Sequence, residues 1–98
     1  MGVASNLSVG RRRIRGREVK ESESFVRAKR RLRATLGRKV RELRLSINMT
    51  QADLADEAEI RQALISEIER GEANPTLDSI LRIAVALDVS LSALFESR

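Results

Sequence analysis

Between residues 25 and 95, apolar side chains recur every three or four positions, in segments that short polar turns separate. This spacing places them along one face of an α-helix, whereas a half-buried strand would show strict alternation. No segment alternates in that way, and the connections are short, as in compact helical domains. The pattern therefore predicts an all-α domain.

The first amphipathic stretch has seven apolar residues at helical spacing: Phe25, Ala28, Leu32, Leu36, Val40, Leu43 and Ile47. Ser24 is placed to cap its start through the side-chain hydroxyl. Gly37 lies inside the stretch and would cost about 1 kcal/mol in a helix interior. The stretch is therefore either one long helix or an outlying helix joined to a second one over residues 36–47.

Residues 50–95 carry four shorter helical patterns with their own start and stop signals. Thr50 and Asp53 have the spacing of a capping box, and Gly71 can end a helix with a positive φ. Thr76 and Ser90 are candidate N-caps of the last two helices. We therefore expect a five-helix domain over residues 24–98, with an extra or extended helix as an option at its N-terminus.

Charge is divided unequally along the chain. Residues 1–44 carry 15 Lys and Arg against 4 Asp and Glu, whereas residues 45–98 carry 4 against 10. The net charges are +11 and −6, in agreement with +5 for the whole chain. A basic segment favours a polyanionic partner, most commonly nucleic acid. The alternative is a solubilising tail or a solvated helix face.

Residues 1–23 are poor in apolar side chains and contain the basic run Gly-Arg-Arg-Arg-Ile-Arg-Gly-Arg at 10–17. Such a run stays solvated until it meets an anion, which predicts a flexible basic arm. No apolar stretch follows the arginines, as a secretory signal would require. The longest apolar runs fall far short of the ~20 residues of a membrane span, so we expect a cytoplasmic location.

The sequence contains neither cysteine nor histidine. Disulfides and thiolate metal sites are therefore excluded, and no carboxylate cluster has the spacing of metal ligands. The usual general bases and the best nucleophile are missing too. The composition argues against an enzyme and against a cofactor.

The two short helical patterns over residues 51–70 have the layout of a helix-turn-helix, in which the small Ala55 allows a close helix crossing. Residues 36–95 also resemble the Cro/C1-type (XRE) helix-turn-helix family of phage repressors, restriction-modification controllers and antitoxins. The matching stretches are 36–44, 50–55, 65–71, 74–77 and 86–95. The resemblance implies a phage-repressor-like fold that binds double-stranded DNA.

The resemblance further implies that the helix at about 62–70 enters the major groove. Side chains in and before it would contact bases, namely Arg61, Gln62, Ala63, Ser66 and Glu67. Their chemistry agrees, because Gln62 suits adenine, Glu67 can accept from cytosine and Arg61 can reach guanine. Contacts to the DNA backbone would come from Thr50, Gln51, Arg70, Asn74 and Arg44. For each, the alternative is an ordinary solvated side chain.

Two structural roles come with the resemblance. Arg44 and Glu69 would form a largely buried ion pair, a role that suits a bidentate guanidinium. The last helix would form a homodimer on a two-fold operator, with an interface of Val89, Leu91, Leu94 and Phe95. The alternative for these four residues is that they close the monomer's own core.

Three features depart from the family pattern. Glu59 stands where glycine is usual, and Arg61 replaces the Ser or Thr that normally caps the groove helix. The half of the chain that contains the helix-turn-helix is acidic, with Glu67 and Glu69 on the groove helix. Because phosphate neutralisation supplies nearly all non-specific affinity, we assign that affinity to the basic arm and the first helix.

The leading hypothesis is a non-enzymatic, sequence-specific DNA-binding transcriptional regulator, such as a repressor, that acts as a homodimer. The alternative is the antitoxin of a toxin–antitoxin pair. Such a protein would bind a toxin and regulate its own gene through the same domain.

Overall fold

The structure, a computed structural model, describes residues 21–97. Within that range the chain forms four α-helices, α1 (Glu23–Ser46), α2 (Gln51–Ala58), α3 (Gln62–Glu69) and α4 (Leu77–Leu87), and a short 3-10 helix, Leu91–Phe95. These residues contain no strand, so the all-α prediction is confirmed. The fifth element is 3-10 rather than α-helical, which corrects the five-helix count. Residues 1–20 of the predicted arm lie outside the residues that the structure describes.

α1 is one continuous helix of 24 residues, so the extended alternative is the correct one. Its N-cap is Ser22, whose hydroxyl accepts from the Phe25 amide, and not Ser24 as predicted. All of its buried residues lie in the second half, from Thr35 onward. The first half of α1 is therefore largely solvated. None of the helices in residues 21–97 has the length and apolar character needed to cross a membrane.

Gly37 lies where α1 crosses the end of α3. A Cβ at Gly37 would overlap the carbonyl oxygen of Ile68 and lie 2.9 Å from that of Glu69. These are backbone atoms, which cannot move aside as a flexible side chain can. The missing side chain thus permits the close crossing, which explains a residue that is unfavourable in an isolated helix.

One hydrophobic core joins all five elements. Its largest fully buried side chains are Val40, Leu54, Ile65, Ile68, Ile83 and Leu94. Leu94 comes from the 3-10 helix and has no exposed surface. It therefore closes the monomer's own core, which corrects its predicted place at a dimer interface.

Each α-helix ends with the paired backbone hydrogen bonds of a Schellman motif, which needs a residue of positive φ. Gly71 takes that position after α3, but Asn48, Glu59 and Asp88 take it elsewhere, with φ of 58–60°. For residues such as Glu this conformation costs about 1–2 kcal/mol. The turn at Glu59 therefore keeps the shape that glycine would have, at a cost in stability.

The predicted N-terminal caps of the helices are confirmed in part. Thr50 and Asp53 form the predicted capping box, and the Thr76 hydroxyl accepts from the Ser79 amide. Ser90 precedes the 3-10 helix, but its side chain makes no capping hydrogen bond. Its hydroxyl lies 3.1 Å from that of Ser92 instead.

A buried ion pair fixes α3 to the rest of the domain. Arg44 donates from Nε and Nη2 to the two carboxylate oxygens of Glu69, at 2.7 and 2.9 Å. It also donates from Nη1 to the Met49 carbonyl oxygen. Gln51 Nε2 donates to Glu69 Oε1 at 3.0 Å. The side chains of Arg44 and Glu69 are only 7% and 4% exposed, so one carboxylate links α1, α2 and α3.

The surroundings keep this pair ionised. Burial alone would raise the pKa of Glu69, but hydrogen bonds from Arg44 and Gln51 and the charges of Arg44 and Arg41 outweigh it and lower the pKa. The hydrogen bond to Glu69 in turn raises the pKa of Arg44, despite an opposing effect of burial. Both pKa shifts favour the charged forms of Arg44 and Glu69.

Gly37→Ala should destabilise the protein, although alanine is the better helix former by about 1 kcal/mol. The new methyl group would strike the backbone of α3, and overpacking of this kind costs about 1–3 kcal/mol. Urea unfolding measures the difference. Arg31→Ala, at an exposed position of the same helix, is the control and should change stability by less than about 0.5 kcal/mol. A Gly37→Ala variant as stable as the wild type would show that the close crossing is dispensable.

Glu69→Gln should lower the free energy of unfolding at pH 7 by about 3–5 kcal/mol, because it leaves the Arg44 charge buried and unpaired. The folded-state pKa of Glu69 is depressed, so the contribution is complete above the unfolded value of about 4.3 and is lost as pH falls through the folded value. The gap between wild type and variant should therefore narrow below about pH 4.3.

Urea unfolding at pH 7, 4 and 3 tests this dependence. Asp53→Asn is the control, because it removes a carboxylate that is exposed. The pKa of Asp53 is lowered by its backbone and side-chain hydrogen bonds with Thr50, so Asp53→Asn should also make stability less sensitive to acid. At pH 7, however, Asp53→Asn should lower the free energy of unfolding by less than Glu69→Gln does. If both variants lost the same free energy of unfolding at pH 7, the buried pair would not be a major contributor to stability.

Candidate nucleic-acid interface

Three residues, 59–61, join α2 to α3. Ala55 and Ala58 are buried on the inner face of α2, and the Ile60 amide donates to the Ala55 carbonyl oxygen at 3.0 Å. Arg61 is the N-cap of α3 and makes no side-chain capping hydrogen bond. Its side chain is exposed and remains available at the start of the helix.

α3 presents one outward face opposite its buried residues Ile65 and Ile68. Four of the side chains predicted to contact bases are exposed, and one, Ser66, is half-buried. On a helix, positions i, i+1, i+4 and i+5 lie on the same side. The structure thus brings together on one surface all five predicted residues, Arg61, Gln62, Ala63, Ser66 and Glu67.

Arg70 follows α3 and bends back over this face. Its Nη1 donates to the Ser66 hydroxyl, and its Nε lies 3.1 Å from Glu72 Oε1. Both partners of the pair with Glu72 are more than half exposed, and exposed pairs contribute little to stability. Arg70 can therefore exchange this carboxylate for a phosphate at little cost.

The structure gives the other predicted backbone contacts different surroundings. Thr50 is exposed at the start of α2, and its hydroxyl accepts from the Asp53 amide. Gln51 is half-buried and donates to Glu69, while Asn74 is exposed in the loop before α4. Arg44 is buried and engaged with Glu69 and Met49, and its predicted contact to the DNA backbone stays a prediction.

Burial also changes the charge of the outward face. Glu69 is turned inward onto Arg44, so Glu67 is the single acidic side chain that α3 itself exposes on that face. The outward surface of α3 is consequently less acidic than the sequence implied.

A further apolar surface was missed in the sequence. Leu77, Leu81 and Val85, four residues apart along one side of α4, are 70%, 52% and 70% exposed. The signal was present, because α4 is apolar nearly all the way round, and such a helix normally buries more than one face. Among the predicted dimer residues, Val89, Leu91 and Phe95 are half-buried against the core.

Comparison with known proteins connects this geometry to a family. A helix-turn-helix family model matches residues 40–94. The chain is 48% identical over 59 residues to the control protein C.BamHI of Bacillus amyloliquefaciens, covering 59% of this chain and 73% of that protein. It is 32% identical over 60 residues to the immunity repressor protein of Bacillus phage phi105, covering 61% and 42%.

Solved structures show the same similarity. The crystal structure of the restriction-modification controller protein C.AhdI from Aeromonas hydrophila aligns with a TM-score of 0.63 at 33% identity. The alignment covers 64% of this chain and 96% of C.AhdI. The family match begins at position 40, so the solvated first half of α1 precedes it. The chain belongs to the helix-turn-helix family of Cro/C1-type transcriptional regulators.

Proposed function

We propose that this protein is a sequence-specific regulator of transcription that reads double-stranded DNA with α3. The observation that carries the proposal is the outward face of α3, where polar side chains that can pair with base edges stand clear of the domain. Ile65, Ile68 and the Arg44–Glu69 pair hold the opposite face in place. A rigid scaffold of this kind suits recognition of bases.

The regulator acts as a homodimer on a two-fold operator in this proposal. One recognition helix contacts only a few base pairs, and two copies about one helical turn apart, ~34 Å, add the missing specificity. The exposed stripe of Leu77, Leu81 and Val85 on α4 supports a self-association surface, since singly scattered apolar residues would not align in this way. A two-fold contact pairs the same patch on both copies.

The relatives favour one biological setting. C.BamHI is named as a control protein and C.AhdI as a restriction-modification controller, so we place this chain among regulators of that kind. Its role requires neither catalysis nor a cofactor, and it operates in the cytoplasm, where the DNA is. The antitoxin alternative gains no support from relatives named as control proteins and repressors.

Gln62→Ala should relax base preference and leave affinity for random duplexes nearly unchanged, because the amide can read an adenine but carries no charge. Binding-site selection on random duplexes, with wild type and variant at one stated salt concentration, measures both properties. We expect a symmetric site for the wild type and a loss of about 1–3 kcal/mol of discrimination at one position per half-site. A wild type without any sequence preference would refute the proposed function.

Leu81→Glu should weaken the proposed dimer about 30-fold or more, equivalent to about 2 kcal/mol, because it places like charges on both sides of a two-fold contact. Sedimentation equilibrium measures the association. Leu45→Glu is the matched control, since Leu45 is 50% exposed and Leu81 52%, but Leu45 lies on α1. Dimers of equal strength in wild type and Leu81→Glu would exclude this face of α4 as the interface.

A further inference from the structure

Five arginines of α1 lie on one side of the helix, namely Arg27, Arg30, Arg31, Arg38 and Arg41. At 100° per residue they fall within an arc of about 100° and span a rise of about 21 Å. Leu36 and Val40, which are buried in the core, lie on the opposite side. We call these five residues the α1 arginine stripe.

Three members of the stripe line a shallow cleft between α1 and the turn after α3. The cleft has a volume of about 420 Å³, and its walls are Arg30, Ala34, Arg38, Arg41, Glu69, Arg70 and Gly71. Gly71 and Ala34 face each other across the cleft, and a Cβ on Gly71 would lie 3.9 Å from the Ala34 backbone. Four arginines thus surround a space whose one carboxylate, Glu69, is held by Arg44 and Gln51.

The stripe is available to an outside anion. Within residues 21–97, Arg30 and Arg41 form no ion pair with a carboxylate. Arg38 is 3.7 Å from Glu42 in an exposed pair and donates to the Ser97 carbonyl oxygen. Exposed pairs of this kind are weak and screened by salt, so a phosphate can compete with them.

Arg70 makes the stripe continuous with the outward face of α3. It lines the cleft beside Arg30, Arg38 and Arg41, and it also hydrogen-bonds Ser66 on the outward face. A duplex that lies along α3 therefore meets the cleft at its edge. The residues after position 44 carry a net charge of −6 and cannot supply the attraction to phosphates themselves.

We infer that the α1 arginine stripe is a second DNA-contacting surface, which binds the phosphate backbone beside the base pairs read by α3. The inference rests on the proposed function and adds a site to it. Four of the five arginines precede residue 40, where the family match begins, so most of the stripe lies outside the matched residues. Its contacts are to phosphates and carry no base preference.

The test compares two charge-matched double variants of the full chain. Arg30→Gln with Arg41→Gln removes two charges from the stripe. Lys29→Gln with Lys39→Gln removes two charges at nearly the same heights on α1, but from positions about 100–160° around the helix. Thermal melting first establishes that both variants are folded, which is expected because none of the four side chains is buried.

Binding to the selected site and to a random duplex is then measured across salt concentrations. The arginine variant should bind both duplexes about tenfold or more weakly, and its log K against log salt slope should fall by about 2, one for each lost phosphate contact. The lysine variant should keep the wild-type slope. Equal losses in both variants, or an unchanged slope in the arginine variant, would overturn the inference.

The two proposals fail in different ways. In one outcome, the wild type prefers one sequence but its salt slope does not change when Arg30 and Arg41 are replaced. The proposed function is then supported, and the inference about the stripe is wrong. In the other outcome, the wild type has no sequence preference but its salt slope still depends on these two arginines. The proposed function is then wrong, and the stripe is still a DNA-binding surface.

Discussion

The orientation of α3 depends on the buried pair of Arg44 and Glu69. Two charges taken out of water are costly unless each finds its partner, and here the carboxylate accepts three hydrogen bonds from α1 and α2. Rotation of α3 about its axis would break these bonds and strand both charges. The pair therefore determines which side chains of α3 point outward. Gly37 complements it, because the close approach of α1 to the end of α3 requires the absence of a side chain there.

The same helix that holds α3 also carries nine of the chain's 19 Lys and Arg residues. α1 directs Arg44 inward and carries the arginine stripe on an adjacent side. In our proposal a single rigid element therefore connects base reading to phosphate attraction. This arrangement resolves the difficulty of an acidic helix-turn-helix half. In our proposal α3 discriminates between bases with side chains of little net charge, while the attraction comes from a neighbouring surface. Substitutions at the two surfaces should therefore have different effects. Those on the outward face of α3 should change sequence preference, and those in the α1 arginine stripe should change affinity for every duplex.

The sequence predicted features that depend on a few neighbouring residues. Thr50 with Asp53 and Gly71 are local signals, and they lie where their spacing indicated. The ion pair of Arg44 and Glu69 came from the family resemblance, since a sequence separation of 25 gives no local cue. Features that depend on which surfaces meet were missed. Gly37 is unfavourable on helix propensity alone, and only its crossing with α3 explains it. Leu94 was predicted at the dimer interface, with the monomer's core as the alternative, and the structure buries it in the core.

The turn at Glu59 shows how strongly the tertiary structure constrains the local one. The residue adopts a left-handed conformation that glycine would take without strain, and its exposed pair with Arg82 offsets little of that cost. The turn nevertheless keeps its shape, because Ala55, Ala58 and Ile65 are buried on either side of it and fix the crossing of α2 and α3. Any other backbone path would displace Arg61 and Gln62 from the start of α3. The strain at Glu59 is thus tolerated because the position of the outward face of α3 depends on the same turn.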